Sequence, residues 1–156
     1  ELQIGKLKAK DLASMIKKEF NVKNNVDYII EAWKKAYLEI MTVNKELLNL
    51  AAILKKKYKI AIISNTVDLH YKINEERKLF SVFDEVLISC NENIVKPHLD
   101  IYELMLKRLK LKPEECIIMD DRADNLIVPK KMGFKVINFK NNDQLVNGLE
   151  QIGVKF

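Results

Sequence analysis

Three short stretches of this sequence carry side chains suited to chemistry on an anionic group. Ser64, Asn65 and Thr66 place two hydroxyls and an amide in a row. Such groups can hold anionic oxygens, although the same residue types form ordinary turns. Lys96, beside Pro97, supplies a charge that would offset a phosphoryl group. A lysine next to a proline that opens a helix is also a common surface feature. Asp120 and Asp121 are adjacent carboxylates, with Asp124 and Asn125 close behind. Hard oxygen donors of this kind suit Mg²⁺, which takes one or two carboxylates and keeps several waters. Asp121 or Asp124 would serve equally well as the cap of a following helix. Each stretch alone has a structural explanation as good as the chemical one.

The elements that must position these residues give them a common address. KIAIISNT, residues 59–66, is a β-branched apolar run too short for a helix, ending in the Ser-Asn-Thr tip. It reads as a strand covered on both faces, as in a parallel sheet flanked by helices. FDEVLIS at 83–89, Cys116–Asp120 and Lys135–Phe139 repeat the strand signal, with a helical pattern over 97–109 and another ending at Gly133. This alternation implies an α/β fold: βαβ units, one mainly parallel sheet, and helices on both faces. Ligands in such sheets bind beyond the carboxyl ends of the strands. Ser64, Asn65, Lys96, Asp120 and Asp121 fall at or just after such ends, so the fold class predicts that they approach one pocket. There Ser64 and Asn65 would contact non-bridging oxygens, Lys96 would offset charge, and Asp120 with Asp121 would hold Mg²⁺.

Ahead of the alternating region the period is helical. Leu7, Leu12, Met15, Ile16 and Phe20 share one face over 7–20, and Val26, Ile29, Ile30, Trp33, Tyr37 and Ile40 do so over 26–41. Asn25 is placed to cap the second helix and Asn44 a third over 45–57, with Leu47, Leu48, Ala51, Ile53 and Leu54 as its buried side. The first two helices carry no strand signal, so the pattern divides the chain into a small helical unit, 1–44, and an α/β unit, 45–156. A closing helix is expected over 143–152, and Gly133 is expected to end its helix in the left-handed conformation.

Bulk composition narrows the partners. The 156 residues hold 48% hydrophobic side chains with only 4 Gly and 3 Pro, enough apolar material for a core. The net charge of +5 suits anionic partners, but the lysines are scattered along helical stretches and no basic patch is interleaved with aromatics, which argues against nucleic acid. Cys90 and Cys116 have no metal-ligand spacing, and buried free thiols in a reducing cytoplasm are the simplest reading. No apolar run approaches the roughly 20 residues of a membrane-spanning helix.

With strand context and order in place, the motifs resemble the haloacid dehalogenase-like superfamily. IISNT at 62–66 is similar to its second motif, VKPHLDIYELML at 95–106 to its third, and IIMDDRADNL at 117–126 to its fourth. The resemblance covers about residues 45–156 and implies a Mg²⁺-dependent phosphohydrolase for a small phosphorylated metabolite. Ser64 and Asn65 would then contact phosphate, Lys96 would offset charge, Asp120 and Asp121 would bind metal, and Asn125 would support them. Residues 1–44 look like the later part of an α-helical cap, and SNT followed by Leu69 and His70 resembles sugar-phosphate phosphatases and the phosphatase domain joined to epoxide hydrolases.

The departures from the pattern bear on activity. The family's first motif, D-x-D on the first strand, supplies the aspartate nucleophile, and no D-x-D occurs in these residues. In the family that strand lies between the strands bearing motifs two and four. The resemblance therefore implies a further N-terminal segment, a second chain that supplies the strand, or a rearranged sheet. Ile94 stands where a Gly often precedes the lysine motif, and Pro129, where relatives often have Ala, predicts a kink or a late helix start. Two other functions compete: a catalytically inactive binding or regulatory module, and a haloacid dehalogenase. The acid pair Asp120–Asp121 argues against the metal-free dehalogenases. A serine hydrolase built on Ser64, Asp68 and His70 is disfavoured because no G-x-S-x-G elbow is present.

Overall fold

A computed structural model describes all residues from Glu1 to Phe156. In chain order the elements are α1 (Ala9–Glu19), α2 (Val26–Ile40), α3 (Lys45–Leu54), β1 (Ala61–Ser64), α4 (Asp68–Glu76), β2 (Glu85–Ile88), α5 (Ser89–Glu92), α6 (Leu99–Leu109), β3 (Ile117–Asp120), α7 (Asp124–Met132), β4 (Lys135–Asn138) and α8 (Asn142–Gln151). A short 3₁₀ turn, Pro113–Glu115, precedes β3. Strand and helix alternate from β1 onward, as the apolar pattern predicts. No helix is long and apolar enough to cross a membrane. The chain divides into two compact units, one of residues 1–43, 63–81 and 86–95 and the other of 44–62, 82–85 and 96–156.

In the first unit α1 packs on α2, and the buried residues of α1 are Ala9 and Ala13, 3% and 0% exposed. Small residues spaced four apart let two helix backbones approach closely, so the larger apolar residues flanking this line stay outside. Met15 and Phe20, expected on the buried face, are instead 56% and 73% exposed. The first N–H groups of a helix lack intrahelical partners. In α1 two carboxylates meet them: Asp11 accepts from the Lys8 N–H and Asp68 from the Ala9 N–H, both at 2.9 Å. Asn25 caps α2 as expected, accepting from the Tyr28 N–H at 2.8 Å. Asp68 itself opens α4, a helix the apolar pattern did not mark.

The second unit is built on β3 and β4, which pair in parallel with Ile117 opposite Lys135 and Asp120 opposite Asn138. Leu54 of α3, Ile137 of β4, and Leu145 and Leu149 of α8 form its core, with Leu47, Leu50 and Ile117 packed against them. Burying each such leucine stabilises the fold by about 2 kcal/mol. Asn44 caps α3 through the Leu47 N–H at 2.9 Å. The buried line of α3 runs Leu47, Leu50, Leu54, so Ile53, expected inside, is 47% exposed. The helix stops at Leu54 because Lys55–Lys57 turn toward β1. Helix α6 begins at Leu99 rather than Pro97, since Lys96 and Pro97 lie in a turn.

Helix α7 contains Pro129 and begins at Asp124, so the proline does not delay its start. The helix ends at Gly133 (φ +104°), where the Gly133 and Phe134 N–H groups return to the carbonyls of Lys130 and Pro129. This is the left-handed cap the sequence predicts.

One expectation is corrected. The four strands do not form one sheet: β1 pairs with β2, and β3 with β4, in two two-stranded sheets. Residues 1–8 form turns, and with two strands per sheet each strand uses only one backbone edge in a ladder. All four β1 residues are half-buried rather than enclosed, and Met119 in β3 is 36% exposed.

Candidate functional site

The second unit gathers Lys96, Asp120 and Asn125 around one carboxylate. Asp120 closes β3 and is 8% exposed. Lys96 Nζ donates to its Oδ2 at 2.6 Å, with the two side chains 13% and 5% exposed. Its Oδ1 accepts from the Arg122 N–H at 2.9 Å and from Asn125 Nδ2 at 3.0 Å. The Arg122 contact is the short-range turn bond that Asp forms with the backbone two residues on. Burial by itself would raise the Asp120 carboxyl, but the bonds from Lys96, Asn125 and Arg122 outweigh it and hold the group below the usual carboxylate range.

The backbone beneath the acid pair is also fixed. Asn138 Nδ2 donates to the carbonyls of Asp120 and Asp121 at 3.0 and 3.2 Å, and the Phe139 N–H donates to the Asp120 carbonyl at 2.9 Å. Tyr102 of α6, fully buried, donates from its hydroxyl to the Asn125 carbonyl at 2.7 Å. Burial, then the nearby Asp120 charge, pushes the Tyr102 hydroxyl up to about 12, so it stays protonated and remains a donor.

Asp121 follows directly and is exposed. Its carboxylate makes no hydrogen bond or ion pair, which leaves it open to a hydrated cation. Asp120 keeps acceptor capacity on Oδ2 beside the lysine. These residues fit a Mg²⁺ held by one or two carboxylates and waters. Asp124 does not join them: it is exposed, lies 4.0 Å from Arg122, and no cluster of three or more metal-ligating side chains forms. The three-carboxylate grouping that the sequence suggests is thus reduced to the adjacent pair. Asp124 is drawn instead into the first turn of α7, where a negative charge suits the helix dipole.

In the first unit, Ser64 closes β1 and Asn65 and Thr66 form the tip. The tip is locked by Ser89 at the end of β2, fully buried, whose hydroxyl accepts from the Thr66 N–H at 3.0 Å and donates to the Thr66 carbonyl at 3.2 Å. His70 stacks on Tyr37 with centroids 3.8 Å apart and meets Trp33 edge-on at 5.7 Å. Its buried Nε2 has no hydrogen-bond partner, so no Ser–His relay is built, and Asp68 is occupied by α1. Burial lowers the His70 pKa, against an opposing pull from Asp68.

Ser89, Tyr102 and Asn138 make contacts here that were not assigned from the sequence, although Tyr102 falls within the VKPHLDIYELML stretch. Ser89 had a signal, a polar residue ending an apolar strand. Tyr102 and Asn138 act through contacts that no local spacing reveals. A separate concavity of about 370 Å³ is lined by Lys55–Lys59 and Asp84, and it includes none of the motif residues.

A family model described as haloacid dehalogenase-like hydrolase matches residues 3–139. Bifunctional epoxide hydrolase 2 of Rattus norvegicus is 29% identical over 125 residues, covering 74% of this chain and 22% of that protein. The chain thus spans well under a third of the length of the mammalian relatives it matches. D-ribitol-5-phosphate phosphatase of Bacteroides thetaiotaomicron is 25% identical over 149 residues, 90% of this chain and 70% of that one. A haloacid dehalogenase family enzyme of Bacteroides thetaiotaomicron, crystallised with magnesium and inorganic phosphate, shares the fold. Its TM-score is 0.79 at 20% identity, over 89% of this chain and 72% of that one. The motifs, the α/β fold and a family match over most of the length lead to one assignment: the chain belongs to the haloacid dehalogenase-like hydrolase family.

Proposed function

We propose that these residues form part of a Mg²⁺-dependent phosphohydrolase acting on a small phosphorylated metabolite. The observation that carries the reading is the buried Lys96–Asp120 pair at the end of β3, with the exposed Asp121 carboxylate next to it. A lysine held at 2.6 Å from a carboxylate lies largely withdrawn from water, where a charge acts on an anion far more strongly than it would at the surface. Asp120 and Asp121 would hold Mg²⁺, with Asn125 and the Arg122 N–H orienting Asp120. When bound, the metal would offset charge on the phosphoryl oxygens. Ser64 and Asn65 would contact non-bridging oxygens, their tip tied down by Ser89, and residues 1–44 would serve as part of a helical cap, with 45–156 as the α/β core. The relatives' names, a ribitol phosphate phosphatase among them, support a small phosphorylated substrate.

A second reading, a binding or regulatory module without turnover, is favoured by the positions of the carboxylates. Asp120 is held by three donors and Asp68 caps α1, so neither is free to attack phosphorus. One experiment separates the two. Residues 1–156 joined to a D-x-D strand segment are assayed with p-nitrophenyl phosphate and a panel of sugar phosphates, with and without Mg²⁺. Mg²⁺-dependent turnover that drops at least about 100-fold in Asp121→Ala and in Lys96→Ala is expected. Phosphate or metal binding without turnover in the joined protein would establish the module instead.

A further inference from the structure

Tyr102 and Pro129 are joined by a gap in the backbone of α7. A helical carbonyl accepts from the N–H four residues on. For Asn125 that residue is Pro129, which has no N–H. The Asn125 carbonyl belongs to a residue 6% exposed, where an unmet acceptor is costly. The Tyr102 hydroxyl, from a different helix, reaches this carbonyl at 2.7 Å in a buried bond. The same asparagine donates from its side chain to Asp120 Oδ1 at 3.0 Å, and Asp120 in turn receives Lys96.

We propose that Tyr102 is a positioning residue for the acid site, its hydroxyl standing in for the N–H missing at Pro129 and thereby fixing Asn125 against Asp120. Its consequence for turnover rests on the proposed phosphohydrolase reading, but the contact chain and its test do not. Tyr102 has the properties the role needs. It is fully buried, so water does not compete for the bond, and its hydroxyl stays protonated to high pH. Tyr102 is one of three buried residues of α6, with Ile101 and Met105, so its ring is enclosed and the hydroxyl is held at one place. The dependence on tyrosine is created by the proline. Where position 129 carries an N–H, the helix satisfies Asn125 by itself and the hydroxyl becomes dispensable.

That conditional relation gives the test. The 156-residue protein is compared with Tyr102→Phe, Pro129→Ala and the double variant by nuclear magnetic resonance, following solvent exchange of the Asn125 side-chain amide. Global stability is measured in parallel by urea unfolding. In Tyr102→Phe the Asn125 amide is expected to exchange about tenfold faster, while backbone amides of β4 keep their protection after correction for global stability. In the double variant the amide is expected to return to within about twofold of wild type, because the alanine that replaces Pro129 supplies the N–H. Should Tyr102→Phe fail to fold, a folded double variant with wild-type Asn125 exchange carries the same conclusion. Unchanged Asn125 exchange in Tyr102→Phe, or a double variant that stays as fast as Tyr102→Phe, would overturn the proposal. The readout is independent of phosphatase activity, so failure of the functional reading leaves this result standing.

Discussion

At Thr66 both backbone polar groups bind one buried hydroxyl, and that hydroxyl belongs to Ser89, 23 residues further along the chain. Removing it in Ser89→Ala would leave a part-buried N–H and carbonyl unmet, at a cost of about 1–3 kcal/mol. The expected result is a lower urea midpoint with an unchanged slope; an unmoved midpoint would mean that water replaces the hydroxyl. Ser89 also shows what sequence reading reaches at this scale. Asp120 stood out as an acid ending an apolar run, Lys96 by its place before Pro97 and Asn125 by its spacing from the acid pair, and the structure joins those three directly. Asn138 was not legible, since its value lies in the parallel register that sets it opposite Asp120. Tyr102 reads locally as one more core aromatic on an apolar helix face, and its polar task exists only because a proline sits 27 positions away on another helix.

Elements were legible where local chemistry decides them. The Asn25 and Asn44 caps and the Gly133 stop follow from side-chain reach and backbone freedom alone. At Gly133 (φ +104°) a Cβ would meet only Pro113 Cβ, at 3.8 Å, so the cost of Gly133→Ala is conformational rather than steric crowding. A loss of about 1–2 kcal/mol in urea unfolding is expected. Gly133→Asn should lose less, because Asn tolerates the left-handed region; equal losses would argue against this origin. The link between β1 and the chain before β2 depends on Asp84, whose carboxylate accepts from the Ile60 N–H at 2.8 Å and pairs with Lys55 at 3.1 Å. The Ile60 bond, aided by Lys55 and set against burial, lowers the Asp84 pKa. A carboxylate lowered in the folded state adds stability above its unfolded pKa of about 3.9 and loses it as the pH falls through the folded value. Asp84→Asn should therefore be less stable than wild type at neutral pH, with the difference closing at acid pH, below the unfolded value. A gap of equal size at both pH values would assign the effect to shape rather than charge. Which apolar residues of α1 and α3 go inside was less legible, because Ala9, Ala13 and Leu50 are chosen by partner helices and strands that periodicity does not contain.

For the whole molecule, the alternation of strands and helices conveyed the α/β class, but strand pairing was beyond it. Apolar runs say which segments become strands and not which edges meet, and the two pairs β1–β2 and β3–β4 form where one sheet was expected. The same arrangement bears on activity. An attacking carboxylate must lie in line with the leaving oxygen, about 3–3.5 Å from phosphorus. Asp68 is committed to the N-terminus of α1 and Asp120 to Lys96, Asn125 and Arg122, while Asp121 is its immediate neighbour on the proposed metal side. These 156 residues contain no D-x-D, and β1 and β3 each keep a backbone edge outside any ladder. Residues 1–156 alone are therefore expected to bind Mg²⁺ weakly and to leave p-nitrophenyl phosphate intact. A D-x-D strand segment supplied on the same chain should bring Mg²⁺-dependent turnover, and so, with lower efficiency, should one supplied as a separate peptide. The two measurements are titration calorimetry with MgCl₂ and release of p-nitrophenol. Robust turnover by the 156-residue protein, lost in Asp121→Ala, would show that a carboxylate already within these residues acts as the nucleophile.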